Sequence, residues 1–293
     1  MSNMNMIENE QYSVDDAWPI EEPSNVDDCL KRLVKLSHSG NQIECHGASK
    51  LKHNDISALR SKFDIRFSEN DDNKKNDEKN KEKKLLESFR EKAFPFLPPE
   101  AHRFIDVAHL KWNTYYNTGT LFIGRHYRLP TRCIDWTIDP LIALFFSCCD
   151  DFDEPGVIWW MDYNDFSNAI KTQWWPAYHK EENIEDDFEE DFTKGNNRNI
   201  ISRFHYRCLL DRPRKQKAHI ILSGKYEVHH DEAINRLGVR NCGRIFISSN
   251  MKFDLLDRLN RWGINSTTLG IENSCVETVA TEIADNILGK KKD

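Results

Sequence analysis

His126-Tyr127-Arg128-Leu129-Pro130-Thr131-Arg132-Cys133-Ile134-Asp135-Trp136-Thr137, followed by Asp139-Pro140-Leu141-Ile142-Ala143-Leu144-Phe145-Phe146, is the stretch on which the fold turns. Proline is tolerated at the first position of a helix, so Pro140 predicts a helix start that carries Leu141, Leu144 and Phe145 into a core. Asp135, Trp136 and Thr137 are then expected on the turn that delivers the chain into that helix. A carboxylate, an indole N–H and a hydroxyl beside Arg132 are costly to bury unless they bond one another or a ligand. Two readings stay open: a structural corner with Arg132 and Asp135 paired, or a corner that binds a ligand.

Working outward, a chain of 293 residues accommodates one large domain or two small ones. A hydrophobic share of 39%, with eight Trp and sixteen Phe, supports a sizeable core. The net charge of −7 argues against a general nucleic-acid coat, although a local basic face is compatible with it. No apolar run approaches the roughly 20 residues that span a bilayer, and Met1 to Asn9 has neither the basic start nor the apolar centre of a signal peptide. The eight cysteines form no CxxC pair and no His/Cys zinc spacing, so they read as reduced thiols of a cytoplasmic protein that binds no metal and no membrane.

Residues 1–28 are acidic and weakly patterned and are expected to form a loosely ordered arm, with Trp18 a candidate to dock. A single α+β domain is expected over 29–288, with charged insertions at 68–84 (solvated, or the exposed start of a helix) and 164–200 and a basic tail at 289–293. Leu30, Leu33, Val34 and Leu36 recur at helical spacing, with Asp27 or Asp28 as the N-cap. Further helices are predicted from Leu85 to before Pro95, over His102–Tyr116, near Lys252–Trp262 and over Cys275–Leu288. Gly156-Val157-Ile158-Trp159-Trp160-Met161, Ala218–Leu222 and Arg244–Ile247 read as strands.

Two further motifs bear on chemistry. One is Glu44-Cys45-His46-Gly47-Ala48-Ser49-Lys50, where an imidazole stands beside a residue that permits close backbone approach. The other is Arg240-Asn241-Cys242-Gly243-Arg244-Ile245-Phe246. The central stretch resembles the signature of the FRG domain family: His-aromatic-Gly-Leu-Pro-Thr-Arg, then Asp-Trp-Thr, then Pro-Leu-x-Ala-Leu-aromatic-Phe. Arg128 stands where that family usually has glycine. Cys45-His46-Gly47 occupies the place of the family's Phe-Arg-Gly, and Asn241 the place of a late Gln. The His46-Gly47-Ala48-Ser49 order also resembles the first NAD-binding motif of the diphtheria-toxin and PARP-like ADP-ribosyltransferases.

These resemblances imply an α+β fold with a mixed or antiparallel sheet, like that of the ADP-ribosyltransferases, flanked by helices. They imply NAD as a substrate held by His46, Gly47, Ser49, Arg132, Trp136 and Thr137, with His46, Asp135 and Asn241 as the catalytic set. Asn241 brings no negative charge where that superfamily generally has Glu, so it lacks one electrostatic contribution to catalysis. The implied protein is a toxin or phage-defence effector that modifies RNA, single-stranded DNA or a protein and answers to an antitoxin or regulatory partner. Arg203, Arg207, Arg212, Arg214, Lys215 and Lys217, interleaved with Phe204, His205 and Tyr206, form a candidate nucleic-acid surface. A non-catalytic nucleotide- or nucleic-acid-binding module is the alternative. A nuclease using His46 or His126 with Arg132 is a third reading.

Overall fold

The computed structural model describes residues 13–38, 40, 42–50, 75–105, 113–178, 201–204, 210–224, 228–271 and 275–289. Among these, helices α1 (Val14–Ala17) and α2 (Val26–Ser37) flank the short strand β1 (Ile20–Glu21), and β2 (Ile43–Ala48) follows. Next come α3 (Lys75–Ala93), α4 (Pro99–Ile105), α5 (Asn113–His126), β3 (Cys133–Thr137), α6 (Pro140–Cys148), β4 (Gly156–Asp162) and α7 (Tyr163–Tyr178). The remainder comprises β5 (Ile201–Phe204), α8 (Asp211–Lys215), β6 (Ala218–Ser223), α9 (His230–Arg236), β7 (Cys242–Ile247), α10 (Lys252–Arg261) and α11 (Cys275–Leu288). This is the expected α+β class.

One seven-stranded sheet runs in the order β1-β7-β4-β2-β3-β6-β5. β1 lies parallel to β7, and the other neighbours are antiparallel. Six residue pairs join β2 to β4 and five join β3 to β6, whereas β2 and β3 share only Cys45↔Thr137. The sheet is therefore held as two halves with an open seam between β2 and β3.

Strand alternation sorts the side chains into layers. Cys45, Ile158 and Ile245 pack against α2, α6 and α10, while Cys133, Ile220 and Leu222 pack against α3, α5 and α11. On the opposite face Trp18, Trp136, Trp159 and Met161 pack with Phe166 of α7 and Ile234 of α9. Glycine is required where α6 crosses the strands. A Cβ at Gly47 would lie 1.9 Å from the Ala143 carbonyl oxygen, and one at Gly156 would lie 2.1 Å from that of Ser147.

α6 begins at Pro140 as predicted, capped by Asp139, whose carboxylate accepts the Leu141 N–H at 3.0 Å. Asp135-Trp136-Thr137 is not the expected turn but the end of β3, because pairing with β6 continues through Thr137↔Ala218. Of the helix predicted over 102–116, the described residues fall in α4, up to Ile105, and in α5, from Asn113, with 106–112 outside those described; α5 runs on to His126.

Arg128, immediately after α5, has φ +68°, in the left-handed region. Leu129 N–H bonds back to the Gly124 oxygen at 2.8 Å, so Arg128 occupies the helix-terminating position that favours glycine. This accounts physically for the glycine usual there in the family.

The charged segments differ in part from expectation. The loosely ordered arm does not hold from Ser13 onward: Trp18 is fully buried, its indole donates to the Asp231 oxygen at 3.1 Å, and β1 extends the sheet. A single buried aromatic outweighs an acidic flank. Residues 68–74 lie outside those described; from Lys75 the tract is the start of α3, the second of its two expected forms, although Glu82 is buried and not exposed. The 164–200 insertion is helical in its first part, with Phe166 of α7 fully buried, and its residues 179–200 lie outside those described.

Candidate functional site

The site is built on the seam. Beyond Cys45↔Thr137 the strands part, and the His46 imidazole fills the gap, its Nδ1 2.6 Å from the Asp135 backbone oxygen. A carbonyl only accepts, so Nδ1 carries the proton. Burial pushes the imidazole pKa down to about 4, which keeps the ring neutral at pH 7 and leaves Nε2 as a bare acceptor. The Trp136 ring stands on the same face, 6.0 Å from His46 between centroids, and its buried indole N–H has no partner. An acceptor and a donor of this kind, side by side, suit a hydroxyl group.

The Asp135 carboxylate leaves the strand on the opposite face, toward α5. Arg125 Nε donates to Asp135 Oδ2 at 2.6 Å. Burial would raise this acid, but the charge and hydrogen bond of Arg125 prevail and hold it at about 2. Oδ1 of Asp135, Nη1 of Arg125 and Nε2 of His126 are buried without partners.

The other predicted site residues separate from this centre. Arg132 is 1% exposed; its Nε meets the Glu82 carboxylate at 3.0 Å and its Nη1 donates to the Ser223 oxygen at 3.1 Å. It braces β3 against α3. Thr137 Oγ1 donates to the Gln216 oxygen at 2.8 Å and accepts the Asp139 N–H at 3.1 Å, which fixes the β3–α6 corner. Ser49 Oγ donates to Asp151 at 2.9 Å, and the Gly47 α-carbon is pressed against α6.

Asn241 is not brought to the seam. It is exposed, its Nδ2 donates to Asp162 at 3.3 Å, and its backbone N–H bonds Asp165 at 3.0 Å. The residue of β7 in register with His46 through Trp159 is Arg244, which is buried. Arg244 lies 5.3 Å over the Trp159 ring and donates to the Trp18 oxygen at 2.7 Å.

The candidate nucleic-acid surface is mostly consumed by ion pairs. Arg203 lies 2.8 Å from the buried Glu44, which also sits 2.6 Å from His219. Arg212 pairs with Glu277, Arg214 with Asp211 at 2.6 Å, Lys215 with Asp211 at 4.0 Å, and Lys217 with Asp139 at 2.7 Å. Arg207 lies outside the described residues. The described residues contain no group of three or more His, Cys, Asp or Glu side chains placed to hold a metal ion.

A family model for the FRG domain matches residues 57–155. The chain carries an FRG domain. The FRG match takes in α3 to α6 with the β3 signature and ends just before β4; His46, Gly47 and Asn241 lie outside it. No curated protein and no solved structure matches the chain. No helix among the described residues is long and apolar enough to cross a membrane.

Sequence reasoning missed Arg125, which commands the Asp135 carboxylate, and Glu82, which neutralises Arg132. The His126 end of α5 gave the only available signal for the first. Nothing in the Asn-Asp-Lys-Glu tract marked Glu82.

Proposed function

We propose that this FRG-domain chain is an NAD-consuming ADP-ribosyltransferase with its nucleotide seated on the β2–β3 seam. One observation carries the reading: His46 Nε2 is a neutral acceptor beside the unpartnered Trp136 N–H, where the two halves of the sheet stop pairing. A ribose hydroxyl donates to the first and accepts from the second. Asp135, ionised and held by Arg125 on the α5 side of β3, is the carboxylate that this reading assigns to steadying an oxocarbenium-like transition state. In this reading the protein acts in the cytoplasm as a toxin or phage-defence effector. Its acceptor is RNA, single-stranded DNA or a protein, and an antitoxin or regulatory partner restrains it.

Nicotinamide release from NAD by the purified protein, alone and with total RNA, single-stranded DNA or lysate, is the test. Release stimulated by one pool supports the reading and gives the acceptor class. Absence of release from folded protein in every pool overturns it.

A second reading, a non-catalytic nucleotide-binding module, is favoured by one feature. The Asp135 carboxylate is ion-paired on the face opposite His46, and Asn241 stands away from both. Saturable NAD binding without turnover would select it.

A further inference from the structure

A second polar constellation lies on the α5 face of β3. Here Arg125 and His126 end α5, Arg212 comes from α8 and Asp135 from β3. The side chains of Arg125 and His126 are more than nine-tenths buried. Arg125 Nη1, Arg212 Nε, His126 Nε2 and Asp135 Oδ1 are all buried and without hydrogen-bond partners. Arg125 bonds Asp135, and Arg212 shares Glu277 with Arg128, two residues beyond His126, so the four groups lie together, with His126 in electrostatic reach of the other three. Around its rim, Arg128 and Arg212 share Glu277. Three cations, Arg125, Arg128 and Arg212, thus face two carboxylates, Asp135 and Glu277, leaving a positive excess with His126 neutral.

Buried donors left unsatisfied are costly and call for a partner. Two guanidinium N–H groups, with the neutral His126 ring in the tautomer that donates from Nε2, match the oxygens of a phosphate, which guanidinium groups bind by forked hydrogen bonds. Asp135 Oδ1 is an acceptor, which a bare anion would not satisfy but a neighbouring sugar hydroxyl would.

The geometry points to a subsite for a ribose phosphate, with the phosphate on Arg125, Arg212 and His126 and a sugar hydroxyl on Asp135. The subsite shares Asp135 with the proposed NAD site, but its phosphate contacts, Arg125, Arg212 and His126, bind without NAD turnover, so the two readings are tested apart. The ligand comes either from a free nucleotide or from a nucleic-acid strand, both of which present the same chemistry.

The test is calorimetric titration with ribose 5-phosphate at constant ionic strength, followed in parallel by the His126 ring resonances. Saturable binding with movement of those resonances is expected. Arg212→Lys keeps the ion pair with Glu277 but removes the Nε–H, and it should weaken binding about tenfold. Arg125→Lys should weaken it at least as much; should that variant fail to fold, Arg212→Lys decides alone. Competition by ADP-ribose identifies a free nucleotide as the source, and competition by a short RNA alone identifies a strand. No saturable binding to the wild-type protein, or unchanged affinity in Arg212→Lys, overturns the proposal.

Discussion

His46 and Asp135 are joined by side chain to backbone across the one place where the sheet stops pairing, with Nδ1 2.6 Å from the Asp135 oxygen. The bond fixes the tautomer, and the tautomer fixes what His46 can recognise. It adds a side-chain tie between β2 and β3 next to their Cys45↔Thr137 pair. His46→Ala is therefore expected to abolish NAD turnover at a stability cost of only about 1 kcal/mol, the typical net value of one hydrogen bond. Nicotinamide release and urea denaturation check the two halves of this expectation. Unchanged turnover would remove His46 from the site.

Gly47 answers to packing before chemistry. A Cβ there would lie 1.9 Å from a backbone oxygen of α6, which has no flexible end to yield. Gly47→Ala should lower stability by about 2–3 kcal/mol, as overpacking does in tight interiors. A denaturation midpoint equal to wild type would show that α6 can move away from β2.

Arg132 and Glu82 form a buried pair between β3 and α3, both under 5% exposed. Removal of one partner strands the other charge, so Arg132→Met should cost about 3–5 kcal/mol. The double replacement Arg132→Met with Glu82→Leu should recover much of that loss. A double variant no more stable than Arg132→Met would refute the pairing as the cause.

Arg128 sits in a left-handed conformation after α5, which costs a residue with a Cβ about 1 kcal/mol. Its ion pair with Glu277 is half exposed at 3.4 Å and compensates weakly. Arg128→Gly should be more stable than Arg128→Ala by about 1 kcal/mol. Equal thermal midpoints would count against the conformational argument.

Acid sensitivity should come from histidines. Burial holds His46 and His126 at about 4 and His230 at about 3, all below the usual value of 6.5. Below pH 6.5 the unfolded chain takes up protons that the folded chain refuses, so stability is full above that pH and falls as pH drops toward 4. Asp135 works in a lower window: held at about 2, it favours the fold above pH 3.8 and loses that contribution as pH falls to 2. Urea midpoints at pH 7.5, 5.5 and 4.5 should therefore decline steadily. A flat profile from 7.5 to 5.5 would contradict neutral burial of these rings.

The sequence by itself determined the local elements. Pro140 after Asp139 announced α6, apolar spacing announced α2, α10 and α11, and Gly156–Met161 announced β4, because each is set by side-chain periodicity and capping within a few residues. The Arg128 departure was also legible, since a glycine-preferring position marks a special backbone conformation. Only the tertiary structure decided which charges meet. Arg132 found Glu82 fifty residues away, Asp135 found Arg125 and not Arg132, and Asn241 was drawn to Asp162 and Asp165 at the start of α7. It also decided that β2 and β3 share one residue pair and leave a seam. Periodicity repeats along the chain and can be read there, whereas ion-pair choice and strand separation depend on distances between segments remote in sequence.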